Sequence, residues 1–120
     1  MQVKVGTDII RVERVEESIK KFGEKFLERF LSHGEIKRAK SVNSIAGYWA
    51  AKEAVAKALG CGIGKELGFL DIEIQKSSKG APLFTLHGNR FNIESSSLSI
   101  SHDGGFAVAV VAIVMKSKQN

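Results

Sequence analysis

Two acidic residues in the first half of the sequence have side chains that could hold a divalent cation. Asp8 follows Gly6 and Thr7 in a predicted strand, where aspartate is an uncommon residue. One interpretation makes Asp8 a metal ligand held by a rigid strand, and the other makes it a strand-end residue that caps the following helix. Gly6 lies on the same face of the strand, and we expect it to leave open space beside the carboxylate.

The second acidic residue, Glu53, lies four residues before Lys57 on a predicted helix, so the two share one face. Glutamate followed by lysine at this spacing is the stabilising order for an exposed ion pair, which is the structural interpretation. The functional interpretation is an acidic and a basic group facing a ligand. Trp49 lies one turn earlier, where its ring would either belong to the core or line a pocket.

A glycine-rich stretch at residues 60–65, GCGIGK, resembles phosphate-binding loops only superficially. In a P-loop alignment, Leu59 occupies the place of the first glycine, and Glu66 follows Lys65 where serine or threonine is required. The stretch also follows a helix, whereas a dinucleotide-binding fingerprint precedes one. We therefore predict that it ends the helix and forms turns.

The tripeptide Ser101-His102-Asp103 has the residue types of a hydrolytic triad but not its geometry. Consecutive side chains of a strand point to opposite faces, so the three cannot converge. His33 and His87 have no metal-ligand spacing with His102. Two interpretations of His102 stay open, a phosphate contact at the sheet edge and a polar residue beside a turn.

The elements that must position these residues follow from the hydrophobic pattern. Residues 2–10 alternate as a strand, with Val3, Val5, Thr7 and Ile9 on one face and Lys4, Gly6, Asp8 and Ile10 on the other. Residues 12–32 are predicted helical with a break near Gly23, and Ser32 and Glu35 have capping-box spacing. A longer helix, capped by Asn43 or Ser44, ends at Gly60. Its predicted apolar stripe comprises Ile45, Tyr48, Ala51, Val55, Ala58 and Leu59.

The second half of the sequence is predicted to be mainly strands, at residues 69–76, 83–86, 98–102 and 106–114. Asp103-Gly104 is a hairpin signal, and residues 116–120 are expected to form a frayed end. A strand, several helices and then a run of strands predict an α+β fold. We expect one small domain over residues 1–120, with an antiparallel sheet and a long helix packed on it.

Composition narrows the class of partner and the compartment. The 120 residues carry a net charge of +5, which favours an anionic partner without choosing among nucleic acid, an acidic protein and a phosphorylated ligand. The longest apolar run, residues 106–115, fits a buried strand and is too short to cross a membrane. No secretory signal is recognisable, and the single Cys61 allows no internal disulfide. We expect a cytoplasmic protein that does not associate with membranes.

Taken together, these motifs resemble the holo-(acyl-carrier-protein) synthase family, the small bacterial 4'-phosphopantetheinyl transferases. The resemblance rests on residues 6–9 (GTDI) with Arg14, and on residues 49–54 (WAAKEA) with Lys57 and Gly60. Further matches are residues 26–29 with Glu35, and residues 62–64, 71–74, 101–102 and 106–109. The likeness covers nearly the whole chain in order, and its motifs are specific in combination.

The resemblance implies a reaction and a set of site residues. Coenzyme A would give its 4'-phosphopantetheine arm to a serine of apo acyl carrier protein, as a step towards fatty acid biosynthesis, and adenosine 3',5'-bisphosphate would leave. Asp8 and Glu53 would hold Mg²⁺, while Glu53 and Lys57 would be catalytic. Either Glu53 or a water on the metal would take the serine proton. The implied coenzyme A contacts are Lys52, Lys57, Gly60, Gly62, Ser101 and His102, and the implied carrier-protein contacts are Arg14, Lys21 and Arg29.

The family also implies a homotrimer with sites between subunits. Two positions depart from the family pattern: Tyr48 stands where many members have a basic residue, and Ala81 replaces the lysine of a Gly-Lys-Pro turn. We expect coenzyme A binding to depend more on Lys52, Lys57, Lys65 or a neighbouring subunit. The alternatives from other classes are a basic nucleic-acid-binding module, for which the sequence has no recognised motif, and an inactive trimeric scaffold.

Overall fold

A computed structural model describes residues 1–88 and 91–117 of the chain, so residues 118–120 of the expected frayed end lie outside the described part. The α+β fold is confirmed. The first strand and four helices are β1 (Gln2–Arg11), α1 (Val12–Phe22), α2 (Glu24–Phe30), α3 (His33–Arg38) and α4 (Val42–Ala58). A 3₁₀ turn (Phe69–Asp71) then leads into β2 (Ile72–Lys76), β3 (Pro82–Leu86), β4 (Ile93–Asp103) and β5 (Phe106–Met115). The strand expected from residue 69 therefore begins only at Ile72.

All described strand pairs are antiparallel and form two sheets. The larger sheet has the order β1-β5-β4, and β2 and β3 form a separate two-stranded sheet. In the larger sheet Asp8 pairs with Ala109, which pairs in turn with Ile100. The β4–β5 turn consists of Gly104 and Gly105, both with positive φ, as a type I′ turn requires. The turn therefore lies one residue later than the predicted Asp103-Gly104.

The long helix α4 lies against the inner face of this sheet, and glycines allow the close approach. A Cβ atom at Gly6 of β1 would overlap the carbonyl oxygen of Ala54 and lie 2.8 Å from the nitrogen of Ala58. A Cβ atom at Gly47 of α4 would lie 2.9 Å from Cγ2 of Ile100 on β4. The expectation that Gly6 leaves open space beside Asp8 is wrong, because the backbone of α4 fills that space.

The helix ends follow local capping rules, with one correction. Ser41 caps α4 by accepting a hydrogen bond from the backbone nitrogen of Ser44, so the predicted caps at Asn43 or Ser44 are wrong. Gly60 follows α4 with φ +83°, and the predicted helix stop is confirmed. The capping box of Ser32 and Glu35 at the start of α3 is also confirmed.

The two faces of the larger sheet differ sharply in burial. Its inner face forms the core with α4, whereas the outer face is open and apolar, with Val3, Val5 and Ile9 of β1 more than half exposed. Val110 of β5 is 45% exposed on the same face, so β5 is buried on one face only. Among the described residues, no helix is both long and apolar enough to cross a membrane.

Candidate active site

The contact between β1 and α4 brings together Asp8, Glu53 and Lys57. The ammonium nitrogen of Lys57 lies 2.9 Å from Oδ1 of Asp8 and donates to the carbonyl oxygen of Thr7 at 3.2 Å. Lys57 therefore forms its ion pair with the strand, rather than with Glu53 along its own helix. Asp8 does not cap α1, because Arg11 occupies the N-cap position of that helix.

Burial and neighbouring charges perturb both α4 side chains of this cluster. Burial raises the pKa of Glu53 above its ordinary value, the charge of Asp8 raises it further, and Lys57 opposes the change. The hydrogen bond to Asp8 raises the pKa of Lys57. The two carboxylates therefore repel each other, and a bound cation would relieve that repulsion.

The donor set suits a hard divalent cation that keeps open coordination positions. Mg²⁺ is commonly bound through one or two carboxylates, with waters and substrate phosphates as the other ligands. Asp8 and Glu53 supply two such carboxylates. Within residues 1–88 and 91–117 no group of three or more histidine, cysteine, aspartate or glutamate side chains could enclose a metal. A cation here would thus take its remaining ligands from water or substrate, so the residues present fit Mg²⁺.

Lys52 lies in the core, and the expectation that it binds coenzyme A is wrong. Its side chain is 0% exposed, and its ammonium donates to the carbonyl oxygens of Phe30 and Phe69 and to Oε1 of Glu35. All three ammonium hydrogens are used within the protein, so none is left for a ligand. This burial was not predicted from the sequence, because lysine is almost never fully buried unless it is paired, and its partner Glu35 lies 17 residues away.

His102 lies at the other end of α4, beside a cleft of about 160 Å³. Its Nε2 atom lies 2.7 Å from the carbonyl oxygen of Asn43, in the first turn of the helix. Tyr48 lines this cleft, as do Gly80 and Pro82, which flank Ala81. Both departures from the family pattern therefore fall around one cleft. The remaining lining residues are Ser44, Gly47, Ile74, Gln75, Lys76 and Ile100.

The cleft also contains a cationic side chain that the sequence analysis did not single out. Lys76, the last residue of β2, is exposed and lines the cleft with His102. Nothing in the sequence around Lys76 marked it as a ligand contact, because it lies at the polar end of a predicted strand. Ser101, next to His102, has its side chain on the opposite face of β4. The structure therefore brings His102 but not Ser101 to the cleft.

The expected coenzyme A contacts form two separate groups within one chain. Lys57, Gly60 and Gly62 lie at the C-terminal end of α4, and His102 contacts its first turn. Fourteen residues separate Asn43 from Lys57, which corresponds to about 21 Å along the helix axis. Lys57 contacts β1 and His102 belongs to β4, and these two strands are the opposite edges of the larger sheet.

The residues expected to bind a carrier protein lie on an exposed helical surface. Arg14 and Lys21 are exposed on α1, and Arg29 is exposed on α2. The guanidinium carbon of Arg29 lies 6.0 Å from the ring centre of Phe22, whose side chain is 53% exposed. Phe22 was not predicted as a surface residue of interest, although its sequence position was an available signal: it directly precedes the helix-ending Gly23 and has Lys20, Lys21 and Lys25 nearby.

Trp49 contributes both to the core and to a small cavity. Its ring contacts Phe26, Phe30 and Phe69, with the closest ring centres 4.6 Å apart. It also lines a cavity of about 60 Å³ that includes Arg14. The two interpretations of Trp49 left open by the sequence are therefore compatible.

Comparison with known proteins gives consistent matches over most of the chain. Residues 4–111 match the family model of the 4'-phosphopantetheinyl transferase superfamily. The chain is 58% identical to a holo-(acyl-carrier-protein) synthase of Sulfurovum sp. (strain NBC37-1), covering 92% of this chain and 96% of the relative. It is 57% identical to the enzyme of that name from Nautilia profundicola, covering 92% and 98%.

Solved structures show the same relationship. The Helicobacter pylori holo-(acyl-carrier-protein) synthase, solved in complex with coenzyme A, has a TM-score of 0.88 and 55% sequence identity, covering 92% of this chain and 99% of that one. The Neisseria meningitidis enzyme of the same name has a TM-score of 0.83 and 34% identity, with coverage of 92% and 97%.

Proposed function

This chain belongs to the 4'-phosphopantetheinyl transferase superfamily, as an enzyme of the holo-(acyl-carrier-protein) synthase group, and we propose that it carries out Mg²⁺-dependent phosphopantetheinyl transfer from coenzyme A to acyl carrier protein. The observation that carries this proposal is the cluster of Asp8, Glu53 and Lys57, where two carboxylates and one ammonium meet at the contact of β1 and α4.

The reaction is a displacement at phosphorus. The serine hydroxyl oxygen of the carrier protein attacks the phosphorus that bears the pantetheine arm, and the bond to adenosine 3',5'-bisphosphate breaks. Such reactions require positioning, charge neutralisation and a proton acceptor. Lys57 is half exposed and can turn its ammonium from Asp8 towards the diphosphate, where it neutralises charge on the leaving group.

Glu53 is the candidate proton acceptor within this chain. Its carboxylate belongs to the cluster with Asp8 and Lys57, where burial and the charge of Asp8 both raise its pKa in the metal-free protein. Asp8 and Glu53 are also the residues that would hold Mg²⁺. The ion would supply charge neutralisation at the diphosphate oxygens.

Coenzyme A binding is proposed to require two copies of the chain. Within one chain, two groups of expected contacts lie at opposite ends of α4, with the helix between them. Lys57, Gly60 and Gly62 form one group, and His102 forms the other. A neighbouring copy that contributes His102 and Lys76 to the Asp8 cluster would complete one site. The open apolar face of Val3, Val5 and Ile9 supports association of copies, and we propose the homotrimer that the family implies.

The carrier protein is proposed to dock on α1 and α2. Arg14, Lys21 and Arg29 provide positive charge for an acidic helix, and the exposed ring of Phe22 provides an apolar contact among them. We further propose that the reaction takes place in the cytoplasm and converts apo carrier protein to the holo form for fatty acid biosynthesis.

The direct test is mass spectrometry of apo acyl carrier protein after incubation with the chain, coenzyme A and Mg²⁺. We expect one phosphopantetheine arm to be added, with an equal amount of adenosine 3',5'-bisphosphate released. Chelation of Mg²⁺ should stop the transfer, and a carrier protein whose acceptor serine is replaced by alanine should gain no mass. Absence of transfer by folded protein at saturating substrates and Mg²⁺ would contradict the proposal.

A further inference from the structure

Lys52 and Glu35 form a buried ion pair in the core, and the proposed reaction does not use it. Both side chains are 0% exposed, and Nζ of Lys52 lies 2.7 Å from Oε1 of Glu35. Oε1 of Glu35 also accepts from the backbone nitrogen of Ser32, and Oε2 accepts from the nitrogen of Ile74. Every polar atom of the pair therefore has a partner.

These contacts connect α4 to four other parts of the fold: α2, the 3₁₀ turn, α3 and β2. The ammonium of Lys52 binds Phe30 at the end of α2 and Phe69 in the 3₁₀ turn, and the carboxylate of Glu35 binds the start of α3 and strand β2. Burial lowers the pKa of Lys52, and the hydrogen bond to Glu35 opposes this change. A buried pair of this kind adds little to stability compared with an apolar pair, but it can fix one arrangement among several.

Small residues make up most of the buried surface of α4, so few large apolar side chains help to fix its rotation about its own axis. Its buried residues occur on all sides of the helix rather than on the single stripe predicted from the sequence, and most of them are small: Ala46, Gly47, Ala50, Ala51, Ala54, Ala56 and Ala58. Small side chains allow a close approach but interlock less than large ones. Directional contacts therefore help to set the rotation of the helix, and they include two ion pairs of α4, Lys57–Asp8 near its end and Lys52–Glu35 directly before Glu53.

We propose that the Lys52–Glu35 pair is a positioning pair for the transferase site, because it sets the rotation of α4 and so directs Glu53 towards Asp8. This inference rests on the proposed function. Lys52 touches neither substrate nor metal and acts through Glu53. Lys52 and Glu53 are consecutive on the helix, about 100° apart, so a rotation of α4 about its axis moves both side chains by the same angle.

The test replaces both partners at once, with Lys52→Met and Glu35→Gln, so that no unpaired charge is left in the core. We expect a folded protein with a KM for coenzyme A and for carrier protein close to the wild-type values. The kcat should fall about 10- to 100-fold, and the affinity for Mg²⁺, measured by calorimetry with coenzyme A present, should fall by a similar factor. Such losses are typical when residues that orient metal ligands are replaced.

Ile113→Ala is the control for lost stability, because Ile113 is a fully buried residue of β5 that makes none of the Lys52 contacts. It should unfold more easily yet bind Mg²⁺ as the wild type does. Glu35→Asp is a second variant, which keeps both charges and shortens one side chain by a methylene. It should show a smaller loss of Mg²⁺ affinity in the same direction.

The inference is overturned by a folded double variant with wild-type kcat and Mg²⁺ affinity, or by an Ile113→Ala protein that loses Mg²⁺ affinity to the same extent. If the double variant does not fold, unchanged Mg²⁺ affinity in Glu35→Asp overturns it. A wild-type protein that transfers nothing contradicts the proposed function instead, so the two failures are distinguishable.

Discussion

The ammonium of Lys57 on α4 lies 2.9 Å from the Oδ1 atom of Asp8 on β1. This ion pair joins the two elements at the candidate site and neutralises the carboxylate that a metal would use. Under the proposed function, Lys57 and Mg²⁺ would compete for Asp8, and the lysine would become available for the diphosphate once a metal took its place.

Replacement of Lys57 by methionine should separate metal binding from diphosphate binding. Without coenzyme A, Lys57→Met should bind Mg²⁺ more tightly than the wild type, because the competing positive charge is gone. With coenzyme A, the transfer rate should fall about 100- to 1,000-fold, the usual loss for a group that stabilises charge in a transition state. Calorimetry and single-turnover transfer measure the two effects. Lys37→Ala, at an exposed lysine of α3, is the control and should change neither.

The raised pKa of Glu53 predicts a pH-dependent difference in stability between the wild type and Glu53→Gln. Without metal, the folded protein disfavours the ionised form of Glu53. The protonated glutamate therefore contributes stability below its ordinary pKa of 4.5, and this contribution is lost as the pH rises through the raised pKa. Above that value, Glu53→Gln should be at least as stable as the wild type. Denaturation by urea over a series of pH values tests this. A variant that is clearly less stable than metal-free wild type at pH 7 would contradict the repulsion between Asp8 and Glu53.

Replacement of Gly6 by alanine should disrupt the site through the backbone. The added methyl group would overlap the carbonyl oxygen of Ala54 and push β1 away from α4, which separates Asp8 from Glu53. We expect a loss of about 1–3 kcal/mol in the free energy of unfolding and a severe loss of transfer. Gly64→Ala is the matched control, because a Cβ atom there meets nothing within 4 Å, and its effect should stay within about 0.5 kcal/mol. Equal effects of the two variants would argue against the close contact.

Charge reversal at Arg14 should weaken carrier-protein recognition selectively. Arg14 is exposed on α1, so Arg14→Glu should raise the KM for carrier protein about 10- to 100-fold and leave the KM for coenzyme A nearly unchanged. The wild-type KM for carrier protein should also rise with ionic strength. Lys37→Glu, at an exposed lysine of α3, is the control of equal charge change. Parallel increases in both KM values would show that Arg14 is not a docking residue.

A charge on the outer face of β1 should prevent assembly and transfer together. Ile9 is 62% exposed in the single chain, and we expect a neighbouring copy to cover it. Ile9→Glu should therefore sediment as a monomer and lose activity, while Leu70→Glu, at an exposed apolar residue of the 3₁₀ turn and outside this sheet, should remain a trimer. Sedimentation of fully active wild-type monomer at assay concentration would refute the trimer.

The sequence determined much of the local structure, because its signals act over a few residues. Alternation predicted β1, the Ser32–Glu35 box predicted the start of α3, and Gly60 predicted the end of α4. The motif resemblance predicted Asp8, Glu53 and Lys57 as one site, and the structure brings Asp8 and Lys57 into direct contact. The errors at Ser41 and at the Gly104-Gly105 turn are of one to three residues, the range within which neighbouring polar residues and glycines compete for the same local role.

The contacts between distant segments became clear only from the folded arrangement of the chain. The family resemblance led us to expect Lys52 to bind coenzyme A, whereas its contacts are with Glu35, Phe30 and Phe69, which are 17 to 22 residues away in the sequence. Gly6 appeared to leave space that α4 in fact fills. The separation of His102 from Lys57 likewise follows from the path of α4 across the sheet. Such relationships depend on contacts between distant segments, and no local pattern of residue types encodes them.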